Sequence, residues 1–343
     1  MTEPLWNRVR AWRDLLSTTD PFGDSSLSPQ GLSEAVAASV EALDDASLTA
    51  IEAMEGRPFP KAVFVAAATV ATAPIEWCAV LLGRGSAVTL KTSSRSAGLT
   101  EWLVTTAQRC GLPLSATSDR AVVADADLVV AMGSDDTVSE IRNSLPASTR
   151  FLPHGHRFSV AWIQQAADDA WDALAADAAL HDGRGCLSPT TVFSPLAADV
   201  AGPALQRALD RAALRWPIGR VDPSESAELR TRAALTRVAG RLFEGPGGSV
   251  HAIPGERWRP GSLPRSLWLI QAKDIATATD VLGSNTRWLS TVGTDTPGSA
   301  EAWFNAGATR VCPLGRMQRP PLLRSHDGED WLTATHRSCS REV

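Results

Sequence analysis

Cys186 is the side chain best placed by its neighbours to act as a nucleophile. It follows residues 181–185, in which two glycines bracket Arg184, and it precedes a β-branched run at residues 190–192. Because glycine carries no Cβ, such a loop leaves room for a substrate and a flat cofactor ring beside the sulfur. A helical run at roughly residues 161–180 is predicted to end at this loop. A lone cysteine more often fills space in a core, so a catalytic role for Cys186 depends on what the surrounding elements place beside it.

Polar residues also follow two of the predicted strands. Lys91 and Thr92 come after a strand predicted at residues 87–90, and Gly133 and Ser134 after one predicted at residues 126–132. Ligands of doubly wound sheets bind at the carboxyl ends of strands. An ammonium group, hydroxyls and a helix start suit a phosphate or a ribose. A solvated lysine and a simple turn with an N-cap stay open as alternatives, and no GxGxxG follows the first strand.

Two histidines flank Gly155 in residues 150–163, an extended segment predicted to be a linker that leads into a strand. His154 and His156 would then share a face, as a pair of metal ligands does, but no third ligand is suitably spaced. We therefore predict that no metal is bound here.

Composition excludes several classes of function. The chain has 343 residues and a net charge of -5, and its positive charges are spread along the sequence, so we expect no nucleic-acid partner. Five scattered cysteines without a CxxC pair predict neither a disulfide framework nor a zinc site, and they favour a reducing cytoplasm. The first sixteen residues lack the apolar core of a signal peptide, and no stretch reaches membrane-spanning length.

The order of predicted elements indicates an α/β protein with parallel sheets. Strands alternate with helices between residues 62 and 144, and a second α/β unit follows Cys186, interrupted by an irregular surface loop at residues 244–266. The predicted domains are an N-terminal helical segment at 1–58, a cofactor-binding domain at 59–150, a catalytic domain at 151–314 and a tail at 315–343.

Six segments in this order resemble the LuxC-type acyl-CoA reductases, a branch of the aldehyde dehydrogenase superfamily. The matching segments are residues 85–91, 131–138, 150–159, 185–189, 310–317 and 326–328. The resemblance implies an aldehyde-dehydrogenase-like α/β fold. In it, two α/β domains with Rossmann-like parallel sheets enclose the active site in the cleft between them.

The resemblance also assigns cofactor-binding roles. Lys91, with Thr92 beside it, matches the lysine that reaches the adenosine ribose, and Gly133-Ser134 matches the turn at the pyrophosphate. Ser94 stands where an acid commonly grips the ribose hydroxyls, and Arg95 follows it. A hydroxyl and a cation favour a 2'-phosphate, so we expect NADPH.

The catalytic roles follow in the same way, with two departures. Cys186 matches the nucleophile. Residues 153–156 replace a Glu-Leu-Gly-Gly segment whose glutamate activates water, so the acyl-enzyme should be spared hydrolysis. Thr69 replaces an asparagine that helps to hold the oxyanion, beside the Cys186 backbone N–H. His154 or His156 is expected to tune the thiolate or move a proton.

The resulting prediction is NADPH-dependent reduction of an acyl-CoA to an aldehyde through a covalent cysteinyl thioester. One alternative is reduction of an acyl or aminoacyl group held by a carrier protein or a peptide. Another is a catalytically silent homologue that serves as scaffold for a partner enzyme. The N-terminal region is shorter than is usual in the family, which leaves a homodimer open.

Overall fold

The computed structural model describes residues 3–23, 25–67, 70–92, 97–165 and 167–337. The helices are α1 (Leu5–Thr18), α2 (Pro29–Glu41), α3 (Asp45–Glu52), α4 (Pro74–Arg84), α5 (Ala97–Arg109), α6 (Asp135–Ser144), α7 (Asp168–Ala179), α8 (Ala198–Arg215), α9 (Pro223–Ala239), α10 (Ile275–Leu282), α11 (Ala300–Asn305) and α12 (Trp331–Ala334). Within the described ranges, each helix is too short or too polar to cross a membrane.

Strands occur in both halves of the chain. They are β1 (Arg57–Pro58), β2 (Lys61–Val65), β3 (Ala87–Lys91), β4 (Leu114–Thr117), β5 (Leu128–Met132), β6 (Arg150–His154), β7 (Phe158–Trp162), β8 (Pro189–Ser194), β9 (Arg241–Gly245), β10 (Gly248–Ala252), β11 (Ser266–Gln271), β12 (Leu289–Thr294), β13 (Arg310–Pro313) and β14 (His336–Arg337). The chain forms two compact units. The first contains the described residues of Met1–Ser25, Ala35–His156 and Pro321–Val343, and the second contains Ser26–Glu34 and Arg157–Pro320.

The first unit contains a five-stranded parallel sheet in the order β4-β3-β2-β5-β6. Helices α4, α5 and α6 connect consecutive strands within it. Four of the five residues of β2 are buried, as expected for a strand that is covered on both faces. The strand order reverses between β2 and β5, and sheets of this kind bind ligands beside the carboxyl ends at such a reversal.

The second unit contains a seven-stranded sheet in the order β13-β12-β7-β8-β11-β10-β9, parallel except for the β9–β10 pair. Neighbouring residues of β7, Ala161 and Trp162, belong to different buried clusters, so the sheet is covered on both faces. One cluster includes Leu174 of α7 and Leu205 of α8, and the other includes Trp303 of α11. The two sheets confirm the predicted α/β class.

The predicted start of the helix before Cys186 is wrong. Residues 158–162 form β7, and all five are buried; helix α7 begins only at Asp168. The strand predicted at the end of residues 150–163 is confirmed by β7, and the predicted helix overlapped it because a strand that is buried on both faces shows no polar alternation to separate it from the Ala-rich helix that follows. The helix ends at Ala179, close to the predicted end.

The segment predicted as an irregular loop, residues 244–266, contains a hairpin. Strands β9 and β10 pair antiparallel, and Pro246 and Gly247 connect them. The density of glycine and proline indicated turns, but it did not reveal that one turn joins two strands. Val250 and His251 of β10 are fully buried, so this part of the segment belongs to the core.

Of the residues predicted as a tail, 315–320 belong to the second unit and the described residues from 321 onwards pack within the first. Trp331 of α12 is 2% exposed, and its ring centroid lies 4.4 Å from that of Trp77. Arg324 forms an ion pair with Glu76 at 2.9 Å. Strand β14 pairs antiparallel with β1, so the end of the described chain is joined to residues near its beginning.

Candidate active site

Cys186 lies exposed at the tip of a turn in the second unit. The Ser188 backbone N–H donates to the Gly185 carbonyl at 2.9 Å, and this hydrogen bond closes the turn directly before β8. All six residues of β8 are buried. The thiol is therefore presented to solvent from the amino end of a strand that is fixed in the core.

The backbone before the turn is in an unusual conformation. His181, Asp182 and Gly183 have φ values of 62°, 52° and 72°, and the two side-chain-bearing residues pay roughly 1–2 kcal/mol each for the left-handed region. Such strain persists only where the surroundings fix it. Both His181 and Asp182 are buried, so the cause must lie in their contacts.

The Asp182 side chain is the centre of a buried polar network. Its Oδ1 accepts from Arg265 Nε at 2.8 Å, and its Oδ2 accepts from Arg184 Nη1 at 3.2 Å and from the Gly219 N–H at 3.0 Å. Its carbonyl accepts from the Arg265 N–H at 3.0 Å. Glu225 completes the network by binding Arg184 through both carboxylate oxygens, at 2.8 and 2.9 Å.

Arg184 keeps its charge within this network. Burial by itself would lower the pKa of its guanidinium, but the carboxylates of Glu225 and Asp182 outweigh burial and raise that pKa. Paired, hydrogen-bonded charges are tolerated inside a protein, whereas a charge left alone is costly. The network therefore holds residues 181–184 in a fixed conformation immediately before Cys186.

Ser159 fixes the turn from a neighbouring strand. Its hydroxyl donates to the Cys186 carbonyl at 2.6 Å and accepts from the Thr291 N–H at 3.1 Å. Ser159 lies on β7 and is fully buried. One hydroxyl thus joins the cysteine turn to β7 and β12.

A third support comes from the segment after β13. Gln318 Nε2 donates to Ser188 Oγ at 2.7 Å and to the Asp177 carbonyl at 3.2 Å. The Asp177 carboxylate accepts from the backbone N–H groups of Gly315 and Met317 at 2.6 and 3.0 Å. Burial raises the pKa of Asp177 to about 7.

The described residues predicted to bind a cofactor lie at the carboxyl edge of the first sheet. Lys91 ends β3, and its Nζ donates to the Thr92 carbonyl at 2.8 Å. Gly133 and Ser134 follow β5, and Ser134 Oγ caps α6 by accepting from the Thr137 N–H at 3.3 Å. The strand order reverses beside β5, so these groups lie where a doubly wound sheet binds its ligand. Thr69, Ser94 and Arg95 lie outside the described residues.

The structure separates the two histidines that flank Gly155. His154 is nearly buried, and its Nδ1 lies 3.0 Å from Asp327 Oδ2. His156 is exposed, and its backbone N–H donates to Asp135 Oδ1 at 2.7 Å. A Cβ on Gly155 would lie 2.3 Å from the same oxygen, so glycine is required for this contact.

Asp327 is ionised in this environment. Burial alone would raise the pKa of its carboxyl group, but the imidazoles of His154 and His326 outweigh burial and hold that pKa well below its usual range. Burial lowers the pKa of His326. The prediction that His154 has no suitably spaced partner considered nearby sequence alone, whereas its partners come from the C-terminal segment.

Several residues that shape the cysteine turn were missed in the sequence. They are Ser159, Asp177, Asp182, Arg265 and Gln318. Asp182 and Arg184 lie within the singled-out segment, and two opposite charges beside a buried helix end were a usable signal. Arg265 and Gln318 are distant in sequence, and nothing local marked them.

The fold is similar to solved aldehyde dehydrogenase structures. Methylmalonate-semialdehyde dehydrogenase from Oceanimonas doudoroffii is 15% identical at a TM-score of 0.70, and the match covers 93% of this chain and 79% of that one. NAD-dependent benzaldehyde dehydrogenase from Corynebacterium glutamicum is 16% identical at a TM-score of 0.70, and the match covers 92% of this chain and 81% of that one. NADP-dependent glyceraldehyde-3-phosphate dehydrogenase from Bacillus halodurans C-125, complexed with NADP, is 15% identical at a TM-score of 0.67. The match covers 90% of this chain and 78% of that one.

A comparison with curated proteins gives no match. The sequence profile of acyl-CoA reductases (LuxC) matches residues 115–337, which is more than half of the chain and includes Cys186. This match confirms the family resemblance and includes five of the six segments, all except residues 85–91, and the structural similarities confirm the expected fold. The chain therefore belongs to the acyl-CoA reductase (LuxC) family, enzymes of aldehyde-related oxidoreduction built on the aldehyde dehydrogenase fold.

Proposed function

We propose that this chain reduces an acyl thioester of the acyl-CoA class to the aldehyde, with Cys186 as nucleophile and NADPH as reductant. Family membership supports the thioester as substrate. The observation that carries the proposal is the exposed Cys186 at the tip of a turn that is held by buried hydrogen bonds on three sides. A nucleophile needs both access and a fixed position.

The reaction has two chemical stages at Cys186. The thiolate attacks the thioester carbonyl, a new S–C bond forms, and the C–S bond to coenzyme A breaks as its thiolate leaves and takes up a proton. The cysteinyl thioester then accepts a hydride at its carbonyl carbon, and the resulting thiohemiacetal anion expels the Cys186 thiolate and releases the aldehyde. The balance is acyl-CoA, NADPH and one proton to aldehyde, coenzyme A and NADP⁺.

The first unit has a suitable set of groups for the cofactor, which when bound supplies the hydride. Lys91 offers a cation, and the α6 start at Ser134 offers backbone N–H groups, both at the carboxyl edge where the strand order reverses. Thr92 adds a hydroxyl. Ser94 and Arg95, which the sequence places after Thr92, support the choice of NADPH over NADH.

Two further residues complete the proposed machinery. His156, whose side chain is exposed, is the proposed proton donor to the departing thiolate, because the His154 ring is engaged with Asp327. Thr69 is the proposed hydroxyl donor to the oxyanion. No carboxylate occupies residues 153–156, and this favours hydride transfer over hydrolysis of the acyl-enzyme.

The test is thioester-dependent oxidation of NADPH by the purified chain across a panel of acyl-CoA lengths. We expect Cys186→Ala to lower the rate by about 10³-fold or more, since the covalent route is lost. Cys110→Ala, at a partly exposed cysteine outside the site, is the matched control and should retain the rate. Activity retained by Cys186→Ala would contradict the mechanism.

Mass spectrometry without a reductant separates the substrate alternatives. An acyl adduct on Cys186 after incubation with acyl-CoA supports the proposed substrate, whereas an adduct formed only from an acyl carrier protein favours the carrier-bound alternative. No adduct from either donor would favour a scaffold role. A parallel assay with NADH tests the cofactor preference.

A further inference from the structure

A compact group of metal-ligating side chains lies in the first unit and has no role in the proposed reaction. His154 ends β6, and His326 and Asp327 come from the C-terminal segment. Asp327 Oδ2 lies 3.0 Å from His154 Nδ1 and 3.3 Å from His326 Nδ1. One ligand atom from each residue lies within 4.8 Å of the other two.

The protein satisfies two imidazole nitrogens in this cluster poorly. The His154, His326 and Asp327 side chains are 9%, 13% and 11% exposed. Both atoms are buried: among the described residues, His154 Nε2 has no hydrogen-bond partner, and His326 Nδ1 has only the 3.3 Å contact with Asp327 Oδ2. Buried polar atoms in folded proteins are normally partnered. His326 Nδ1 and His154 Nδ1 both face Asp327 Oδ2, so a ligand held between these three atoms would satisfy the poorly paired His326 nitrogen.

Aromatic rings enclose the cluster and fix both imidazoles. The Trp77 ring centroid lies 5.2 Å from that of His154 and 5.6 Å from that of His326, edge to face in both cases. Trp331 packs on Trp77 in turn. Fixed imidazoles in an apolar shell lose little further conformational freedom when they bind an ion, and the apolar shell limits competition from water.

We propose that His154, His326 and Asp327 bind one divalent transition-metal ion, with zinc as the best match. Bonds of about 2.0–2.1 Å place the donor atoms of a tetrahedral zinc site roughly 3.3 Å apart. The observed 3.0 and 3.3 Å spacings match this value. Two neutral imidazoles and one carboxylate are a donor set that zinc accepts, with a water molecule as fourth ligand.

Such an ion would fasten the C-terminal segment to the first sheet. His154 is the last residue of β6, whereas His326 and Asp327 lie more than 170 positions further along the chain. Metal binding to the folded state alone stabilises it by mass action. We therefore assign the ion a structural role, which does not depend on the proposed reaction.

The test uses the full chain after removal of metal with a chelator. We expect one equivalent of Zn²⁺ to bind in a calorimetric titration and to raise the thermal midpoint by several degrees. Co²⁺ should give the visible absorption of a four-coordinate site. His154→Gln and His326→Gln should each weaken Zn²⁺ binding by about tenfold or more, whereas His156→Gln, two residues from His154 and exposed, should bind like the parent.

A Cys186→Ser protein is titrated in parallel, because an exposed thiol also binds zinc. Unchanged binding in Cys186→Ser supports the proposed site, and loss of binding there overturns it. The proposed site is also overturned if the wild-type protein binds no equivalent of Zn²⁺ and its thermal midpoint does not shift. This result does not depend on whether the variants fold. Zn²⁺ binding that both His154→Gln and His326→Gln retain at full strength would also overturn the proposed site.

Discussion

The cysteines differ in ways that predict their reactivity. Burial raises the pKa of the Cys78 thiol far above its usual range and that of Cys312 to about 11, and it also raises the pKa of Cys110. Cys186 is the exposed cysteine among the described residues. Because the thiolate is the reactive form and needs access, the environment favours reaction at Cys186.

We expect iodoacetamide at neutral pH to modify Cys186 at least about tenfold faster than Cys78, Cys110 or Cys312. Peptide mass spectrometry over a time course measures each rate in one sample. Prior incubation with an acyl-CoA should protect Cys186 alone, since only that thiol would be acylated. Equal and slow labelling of all four cysteines would contradict an activated thiol.

At the scale of the element, buried ion pairs fix the segment between α7 and β8. Asp182 and Arg265 are each 1% exposed and lie 2.8 Å apart. Removal of one partner leaves an unpaired buried charge, and this costs about 3–5 kcal/mol. The left-handed backbone at Asp182 would lose its support in the same step.

We predict that Asp182→Ala lowers the free energy of unfolding by about 3–5 kcal/mol and slows acylation of Cys186 in the protein that remains folded. Asp172→Ala is the control, because its ion pair with Arg211 on the surface is half exposed at both ends and should contribute about 0–1 kcal/mol. Chemical denaturation and adduct formation are the two measurements. Equal effects of the two substitutions would show that the Asp182 network does not position the turn.

Local patterns were enough to predict most elements and the exposed position of Cys186. Apolar runs predicted β2, β3 and β5, and helix α10 occurs at the predicted residues 275–282. The pattern placed the start of α7 too early, inside the fully buried strand β7, and it missed the β9–β10 hairpin, which Gly and Pro concealed. Both failures reflect tertiary burial, which local periodicity does not record.

The contacts that fix the cysteine turn could not be predicted from local sequence patterns for another reason, which is that their partners lie far apart in the sequence. Arg265 reaches Asp182 across 83 positions, and Gln318 reaches Ser188 across 130. Such pairs are set by the order of strands in the sheet, and a single sequence does not fix that order. His154 and Asp327 are a further example, separated by 173 positions.

At the scale of the whole molecule, buried histidines make stability depend on pH. Burial lowers the pKa of His251 to about 3 and that of His181 to about 4. Both stay neutral in the folded protein down to those pKa values, whereas the unfolded chain protonates them near pH 6.5. The stability that these two histidines contribute is therefore complete above pH 6.5 and decreases as the pH falls towards 4, whereas Asp177, whose pKa is raised to about 7, contributes in the opposite direction over this range.

We predict that protonation of each of these histidines in the unfolded chain lowers the free energy of unfolding by roughly 2–3 kcal/mol when the pH is lowered from 6.5 to 4.5. His251→Gln should reduce the slope of stability against pH, because glutamine does not titrate and can still hydrogen-bond to the Thr236 hydroxyl that His251 contacts at 2.8 Å. His156→Gln, at an exposed site, should keep the full slope. Thermal midpoints across this pH range measure both, and an unchanged slope in His251→Gln would refute the assignment.

The pairing of β14 with β1 has a consequence for synthesis on the ribosome. The second unit ends at Pro320, so all of its residues are translated before residues 321–337 of the first unit. The first unit waits for Asp327, Trp331 and β14, although its sheet was translated first. Translation of the first unit therefore begins first but ends last. The earliest part of the nascent chain stays exposed to chaperones and proteases for longest.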